Sequence, residues 1–129
     1  MVGQERGPAA LAHVTVSRRP DRADAAVTGE LDMSNADDVY HQLLAAADAL
    51  PQLRVELSGL TFVDSTGLSS LDRLARTLRA GGCALTYVAD EGGALARLLH
   101  LTGMDQVLPM ATEADGTETD SSDDQGLQA

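Results

Sequence analysis

Val55-Glu56-Leu57-Ser58-Gly59-Leu60-Thr61-Phe62-Val63-Asp64-Ser65-Thr66-Gly67-Leu68 decides how the chain folds. An apolar run ends at Val63, four small or polar residues follow, and a helical repeat begins at once. Leu68, Leu71, Leu74, Ala75 and Leu78 recur at three- and four-residue spacing. A strand that runs directly into a helix is the building unit of an α/β layer structure. Asp64, Ser65 and Thr66 stand where the first helical amides lack partners, so these residue types suit capping, and capping alone accounts for them. A hydroxyl at that place has a second property. Free amides and the helix dipole stabilise negative charge. A phosphate on Ser65 would change the surface charge by about −1.5 to −2 and leave the fold intact. Gly67, at the start of the helix, is expected to leave room for close approach from outside.

Working outward, His13–Ser17 reads as a strand with Val14 and Val16 on one face. Arg18 to Asp24 carries Pro20 as a turn would, and Ala25–Gly29 is a second strand, so the pair forms a hairpin. Asp32-Met33-Ser34-Asn35 opens a helix, with Ser34 placed to cap and Asp37 near the positive end. Val39, Leu43, Leu44, Ala47 and Leu50 form its apolar face, and Pro51 stops it. Leu53–Leu57 is a strand, and Leu60–Val63 leads into the helix described above, which Gly81-Gly82 ends. Ala84–Val88 is a strand. Leu95, Leu98, Leu99 and Thr102 mark a third helix closed by Gly103, and Gln106–Leu108 is expected as a last short strand. The order β-β-α-β-α-β-α-β predicts an α/β fold, a mixed sheet packed with helices.

Hydrophobic residues make up 43% of the 129, enough to build a core in one domain. With no Trp, one Phe (Phe62) and two Tyr (Tyr40, Tyr87), that core must come from Leu, Val and Ala. The net charge of −11 argues against nucleic acid, which needs a basic face. Residues 1–11 read as a flexible arm, 12–109 as the domain and 110–129 as an acidic disordered tail. The tail holds six of the 20 acids (Glu113, Asp115, Glu118, Asp120, Asp123, Asp124), leaving 14 against nine bases, all Arg. Absence of Lys suggests a GC-rich bacterial genome. The lone Cys83 cannot form an internal disulfide, no apolar leader opens the chain, and no stretch approaches ~20 apolar residues. The expected setting is cytoplasmic, with no membrane contact.

Rival chemistries fail on spacing. Gly67 comes one residue too late after Asp64 for the Asp-Ser/Thr-Gly of an aspartic protease. Val63 occupies the first glycine position of a Gly-x-Ser-x-Gly elbow, so no serine hydrolase and no enzyme is expected. Cys83, His13, His41 and His100 show no metal-ligand spacing, and no metal or cofactor is expected. Arg73, Arg76 and Arg79 read as a solvated helix face; their functional alternative is a docking stripe for an acidic partner.

Phe62-Val63-Asp64-Ser65-Thr66-Gly67-Leu68 resembles the phospho-acceptor motif of anti-sigma factor antagonists of the STAS type. Gly29-Glu30-Leu31-Asp32 matches a second motif of that family at the expected place, and Arg97-Leu98-Leu99-His100-Leu101-Thr102-Gly103-Met104-Asp105 resembles its third-helix ending. The resemblance covers residues 12–109 and implies a single STAS-type domain. It implies a cycle in which the unmodified protein binds an anti-sigma factor that is itself an ATP-dependent serine kinase, so freeing a sigma factor. The kinase phosphorylates the antagonist, the complex separates, and a phosphatase resets it. Ser65 takes the acceptor role by position. Asp32 and Asp64 flank it, and Asp32, Ser34, Asp64, Thr66 and Gly67 are the expected partner contacts. The implied setting is bacterial stress response or sporulation, with a monomer or weak dimer. STAS domains also serve as stressosome scaffold subunits and as accessory subunits of membrane transport systems, and that alternative stays open. The chain departs from the family before the third helix, where Asp90-Glu91-Gly92-Gly93 replaces the usual Ser-Pro-like turn and adds negative charge.

Overall fold

The computed structural model describes residues 12–111. The expectations for residues 1–11 and for 112–129 lie outside the described residues. β1 (Ala12–Arg18) and β2 (Ala23–Leu31) form the hairpin, with Arg18 opposite Ala23 and Ala12 opposite Gly29. In β2 every second residue is buried (Ala23, Ala25, Val27), which is the two-residue period of a strand covered on one face. The cover comes from α1 (Ala36–Ala46) and α2 (Ser65–Ala80). Helix α1 buries Val39, Tyr40, Leu43 and Ala46, and α2 buries Leu71, Leu74, Ala75 and Leu78, each at helical spacing. The Arg18 guanidinium donates to the carbonyls of Ala46 (3.4 Å) and Asp48 (3.1 Å), where cationic charge suits the negative end of α1.

β3 (Gln52–Glu56) pairs parallel with the first half of β2, and β4 (Leu60–Val63) pairs parallel with its second half. Leu60–Val63 is thus a strand in its own right. Two features separate it from β3. Gly29 adopts φ +94° at a register shift in β2, and its amide donates to Gly59 O at 3.0 Å. Gly59 itself lies so close to β2 that a Cβ would meet Thr28 Cγ2 at 2.6 Å. β5 (Ala84–Val88) pairs parallel with β3 and completes a five-stranded mixed sheet.

The mixed α/β class is as the sequence pattern indicates; the order of elements differs in two places, the additional strand β4 between β3 and α2 and the C-terminal segment. α3 (Ala94–Thr102) closes at Gly103, φ +78°, but a 3-10 turn over Met104–Gln106 stands where a strand over 106–108 is expected. The left-handed glycine turns the chain back at once, and Thr102 Oγ1 and the Met104 carbonyl hold the turn. Extended pairing comes later. The Tyr87 amide donates to Pro109 O (2.9 Å) and the Ala111 amide to Tyr87 O (2.8 Å), with Met110 opposite Tyr87. The boundary expected after residue 109 therefore falls two residues short of the last sheet contact. Tyr87 sits fully buried in the Leu/Val/Ala core, and its hydroxyl donates to Leu71 O at 2.8 Å. Burial, with the charge of Asp72 adding, raises its pKa far above the ordinary value, so the hydroxyl keeps its proton.

Candidate functional site

The parallel strands all point one way, so the turns that follow them gather at one end of the sheet, the end where α/β folds place their sites. Because β2 and β4 are neighbours, the turn Asp32-Met33-Ser34-Asn35 and the junction Val63-Asp64-Ser65 stand side by side. Asp64 is the N-cap of α2: its Oδ1 accepts from the Gly67 amide at 2.8 Å. Its Oδ2 accepts from the Met33 amide at 3.2 Å, and its own amide donates to Leu31 O at 3.1 Å. One carboxylate thus fixes the start of α2 and ties it to the turn before α1.

That turn has its own frame. Asp32 Oδ1 accepts from the Ser34 amide (2.9 Å) and the Ser34 hydroxyl (2.6 Å). These donors, the hydroxyl first, hold the Asp32 carboxyl below its ordinary value. Asn35 is the buried polar member, at 3% exposure. Its Oδ1 accepts from the Asp32 amide (3.0 Å), and its Nδ2 donates to Glu30 O (2.9 Å). The expectation that Ser34 caps α1 is corrected here. Asn35 occupies the N-cap position, and the Ser34 hydroxyl is spent on Asp32. Sequence reasoning missed Asn35; the signal was an amide side chain between a capping-type turn and a helix.

Ser65 and Thr66 are both exposed, in the first turn of α2. The Gly67 amide is taken by Asp64 Oδ1 and the Leu68 amide by Asp64 O, so the amides of Ser65 and Thr66 are the ones free at the helix start. Gly67 does not face outward. It is buried, and a Cβ there would lie 2.8 Å from Leu31 O and 3.0 Å from Val63 Cγ1. The expectation that Gly67 clears space for a partner is corrected: it lets α2 approach β2. Two exposed apolar side chains edge the site, Met33 (76% exposed) and Phe62 (50%).

The arginine row divides. The Arg73 guanidinium lies 4.0 Å over the Tyr40 ring and 3.7 Å from Asp37 Oδ1, so it joins α2 to α1. Arg76 pairs with Asp72 at 3.0 Å on its own helix. The Ser58 hydroxyl donates to Glu56 Oε2 and accepts from the Asp90 amide (2.8 Å), which anchors the acidic loop before α3 to the β3–β4 turn.

Comparison with known proteins fits this architecture. The family model described as "Mlab, STAS domain" matches residues 14–110. The anti-sigma-B factor antagonist of Bacillus subtilis (strain 168) is 23% identical over 104 residues, covering 81% of this chain and 94% of that protein. An anti-sigma factor antagonist from Mycobacterium paratuberculosis, known from its crystal structure, is 29% identical with a TM-score of 0.66. The match covers 81% of this chain and 89% of that one. Bacillus SpoIIAA, 17% identical, matches over 81% of this chain in two states. The TM-score is 0.60 over 92% of its unphosphorylated form and 0.57 over 96% of its phosphorylated form.

Proposed function

The chain belongs to the STAS family, and from that premise we propose that it is an anti-sigma factor antagonist switched by phosphorylation of Ser65. The observation that carries the reading is the exposed Ser65 hydroxyl in the first turn of α2, beside an Asp64 cap that also ties down the neighbouring turn. In the unmodified state the end of the sheet holding Asp32–Asn35 and Asp64–Thr66 docks on an anti-sigma factor that is a serine kinase, and a sigma factor is released. Ser65 Oγ then attacks the γ-phosphorus of ATP held by that kinase, the hydroxyl proton passes to a base of the kinase, and ADP leaves. The kinase must bring the two in line, which demands a rigid acceptor. The Asp64 hydrogen bonds supply that rigidity. The new phosphate sits by the free amides of Ser65 and Thr66, where a helix start tolerates negative charge. The backbone keeps its shape while the docking surface gains about −1.5 to −2 charge units. Binding ends by repulsion between the new phosphate and the anionic nucleotide that the kinase holds, and a phosphatase restores the first state.

The solved forms of SpoIIAA support the idea that a fold of this kind keeps its shape with and without the phosphate. No helix among the described residues is long and apolar enough to cross a membrane, and we place the cycle in the cytoplasm. A second reading, a STAS subunit of a larger assembly, is favoured by the description of the matching family model, which names Mlab and no sigma-factor regulator. One experiment separates the two. Wild-type protein and Ser65→Glu are used as baits in extracts of the source cells, and retained proteins are identified by mass spectrometry. Retention of a kinase-type anti-sigma factor by wild type and its loss with Ser65→Glu is the expected result. Retention of membrane-transport subunits by both baits would establish the second reading.

A further inference from the structure

The single phenylalanine of this aromatic-poor chain is not in the core. Phe62 is half exposed and stands on the lip of a groove of about 260 Å³ between β4 and α3. Leu60, Val63, Leu95 and Leu98 form its apolar walls, and the exposed Ala94 forms the far lip. Phe62 is three residues before Ser65 and opposite Glu30 in β2. An exposed aromatic beside an apolar groove is the pattern of an interface anchor.

The charges around it select the occupant. Glu30, Asp32, Asp64, Asp90 and Glu91 follow or end the strands at this end of the sheet, while α3 contributes Arg97. Most other bases of the described chain lie at the opposite end. Arg18 ends β1, Arg19 and Arg22 lie in the hairpin turn, where both pair with Asp24, and Arg79 lies in the last turn of α2. A second copy would bring the same acidic rim against this one. The chain's own residues 112–129 carry six acids, no base and one large apolar residue, Leu127, so they too have the wrong charge.

We infer that the groove between β4 and α3 receives an apolar side chain of the protein that phosphorylates Ser65, and that basic residues flank that side chain on the partner. The inference rests on the reading of Ser65 as the acceptor and deepens it. Phe62 and the groove supply the anchor that holds the partner. The acidic rim speeds encounter and sets orientation, so association slows as salt rises.

The test uses the kinase recovered with wild-type bait, purified, with affinity measured by calorimetry and association by stopped flow at low and high salt. Phe62→Ser removes the anchor. Ala94→Phe fills the groove from its exposed lip and takes nothing from the core. Val16→Ser removes an exposed apolar side chain (45% exposed) from β1, away from the groove, as the control. Each variant is checked for a wild-type circular dichroism spectrum. We expect the two groove variants to weaken binding by ~10-fold or more, Val16→Ser to bind as wild type, and Glu91→Arg to flatten the salt dependence of association. Wild-type affinity for both groove variants, with binding still lost in Ser65→Glu, overturns the groove and leaves the switch standing. Wild-type affinity for Ser65→Glu overturns the switch and the groove with it. Tighter binding after deletion of residues 112–129 would make the tail the occupant and overturn the assignment to the partner.

Discussion

A methyl group on Gly67 would press on Leu31 O at 2.8 Å, and backbone cannot step aside as a flexible side chain can. Gly67→Ala should therefore push α2 off β2 at a cost of about 1–3 kcal/mol, the usual range for overpacking. Thermal unfolding checks this, and an unchanged melting temperature would contradict it. A second expectation concerns Asp32, whose carboxyl is held below its ordinary value of 3.8 chiefly by the Ser34 hydroxyl. A lowered folded value means that the ionised form is favoured by the fold. The contribution is present above the unfolded value and lost as pH falls through the folded one. In an NMR titration Asp32 should show a midpoint below 3.8, and Ser34→Ala should move it upward; a midpoint at or above the ordinary value would contradict the hydrogen-bond geometry. The Asp64 cap was legible in the sequence because capping chemistry is local: the residue type and its place before a helix suffice. Asp32 entered through the family resemblance, and the acceptor role of Ser65 is a proposal. Asn35 and Gly67 were not legible, because their roles depend on what β2 presents to them, a carbonyl at Glu30 in one case and at Leu31 in the other.

Strand-to-helix alternation carried the reading of the elements, and it worked where hydrophobic period and glycine punctuation agreed. Helix α2 is the clearest case, with its stripe from Leu71 to Leu78 and its stop at Gly81. It failed at the C-terminal end, where Gln106–Leu108 offered an apolar pair without a period long enough to decide between turn and strand. The tertiary contact that settles the matter is Tyr87, whose backbone takes up Pro109 and Ala111. Chain ends placed on either side of that contact should behave differently. Ending the chain after Ala111 should leave the melting temperature within a few degrees of the full chain. Ending it after Pro109 loses the Ala111 hydrogen bond, about 0.5–1.5 kcal/mol, and the packing of the half-buried Met110. Equal melting temperatures for the two truncations would show that β5 does not need this cover.

Over the whole molecule, the parallel strands sort charge as well as chemistry. Acids collect after β2, β4 and β5, and arginines collect at the hairpin turn and the far end of α2. The net charge of −11 pointed away from nucleic acid, but composition could not show that Asp32, Asp64, Asp90 and Glu91 share the end of the sheet that carries Ser65. A phosphate there would face the anionic nucleotide that the proposed kinase holds. Two unit charges ~4 Å apart at an effective dielectric of ~20 repel by about 4 kcal/mol. Even the ~1.4 kcal/mol that survives solvent and salt is a tenfold loss of affinity. Ser65→Ala, uncharged and unable to accept phosphate, should stay bound. The central claim is that Ser65 alone is modified, since Thr66, though also exposed, is displaced by one residue around the helix. The direct measurement is phosphorylation by the recovered kinase with ATP, followed by mapping of the modified residue by mass spectrometry. The account predicts phosphate on Ser65 and none incorporated by Ser65→Ala. Phosphate on Thr66, or incorporation into Ser65→Ala at the wild-type rate, would contradict it.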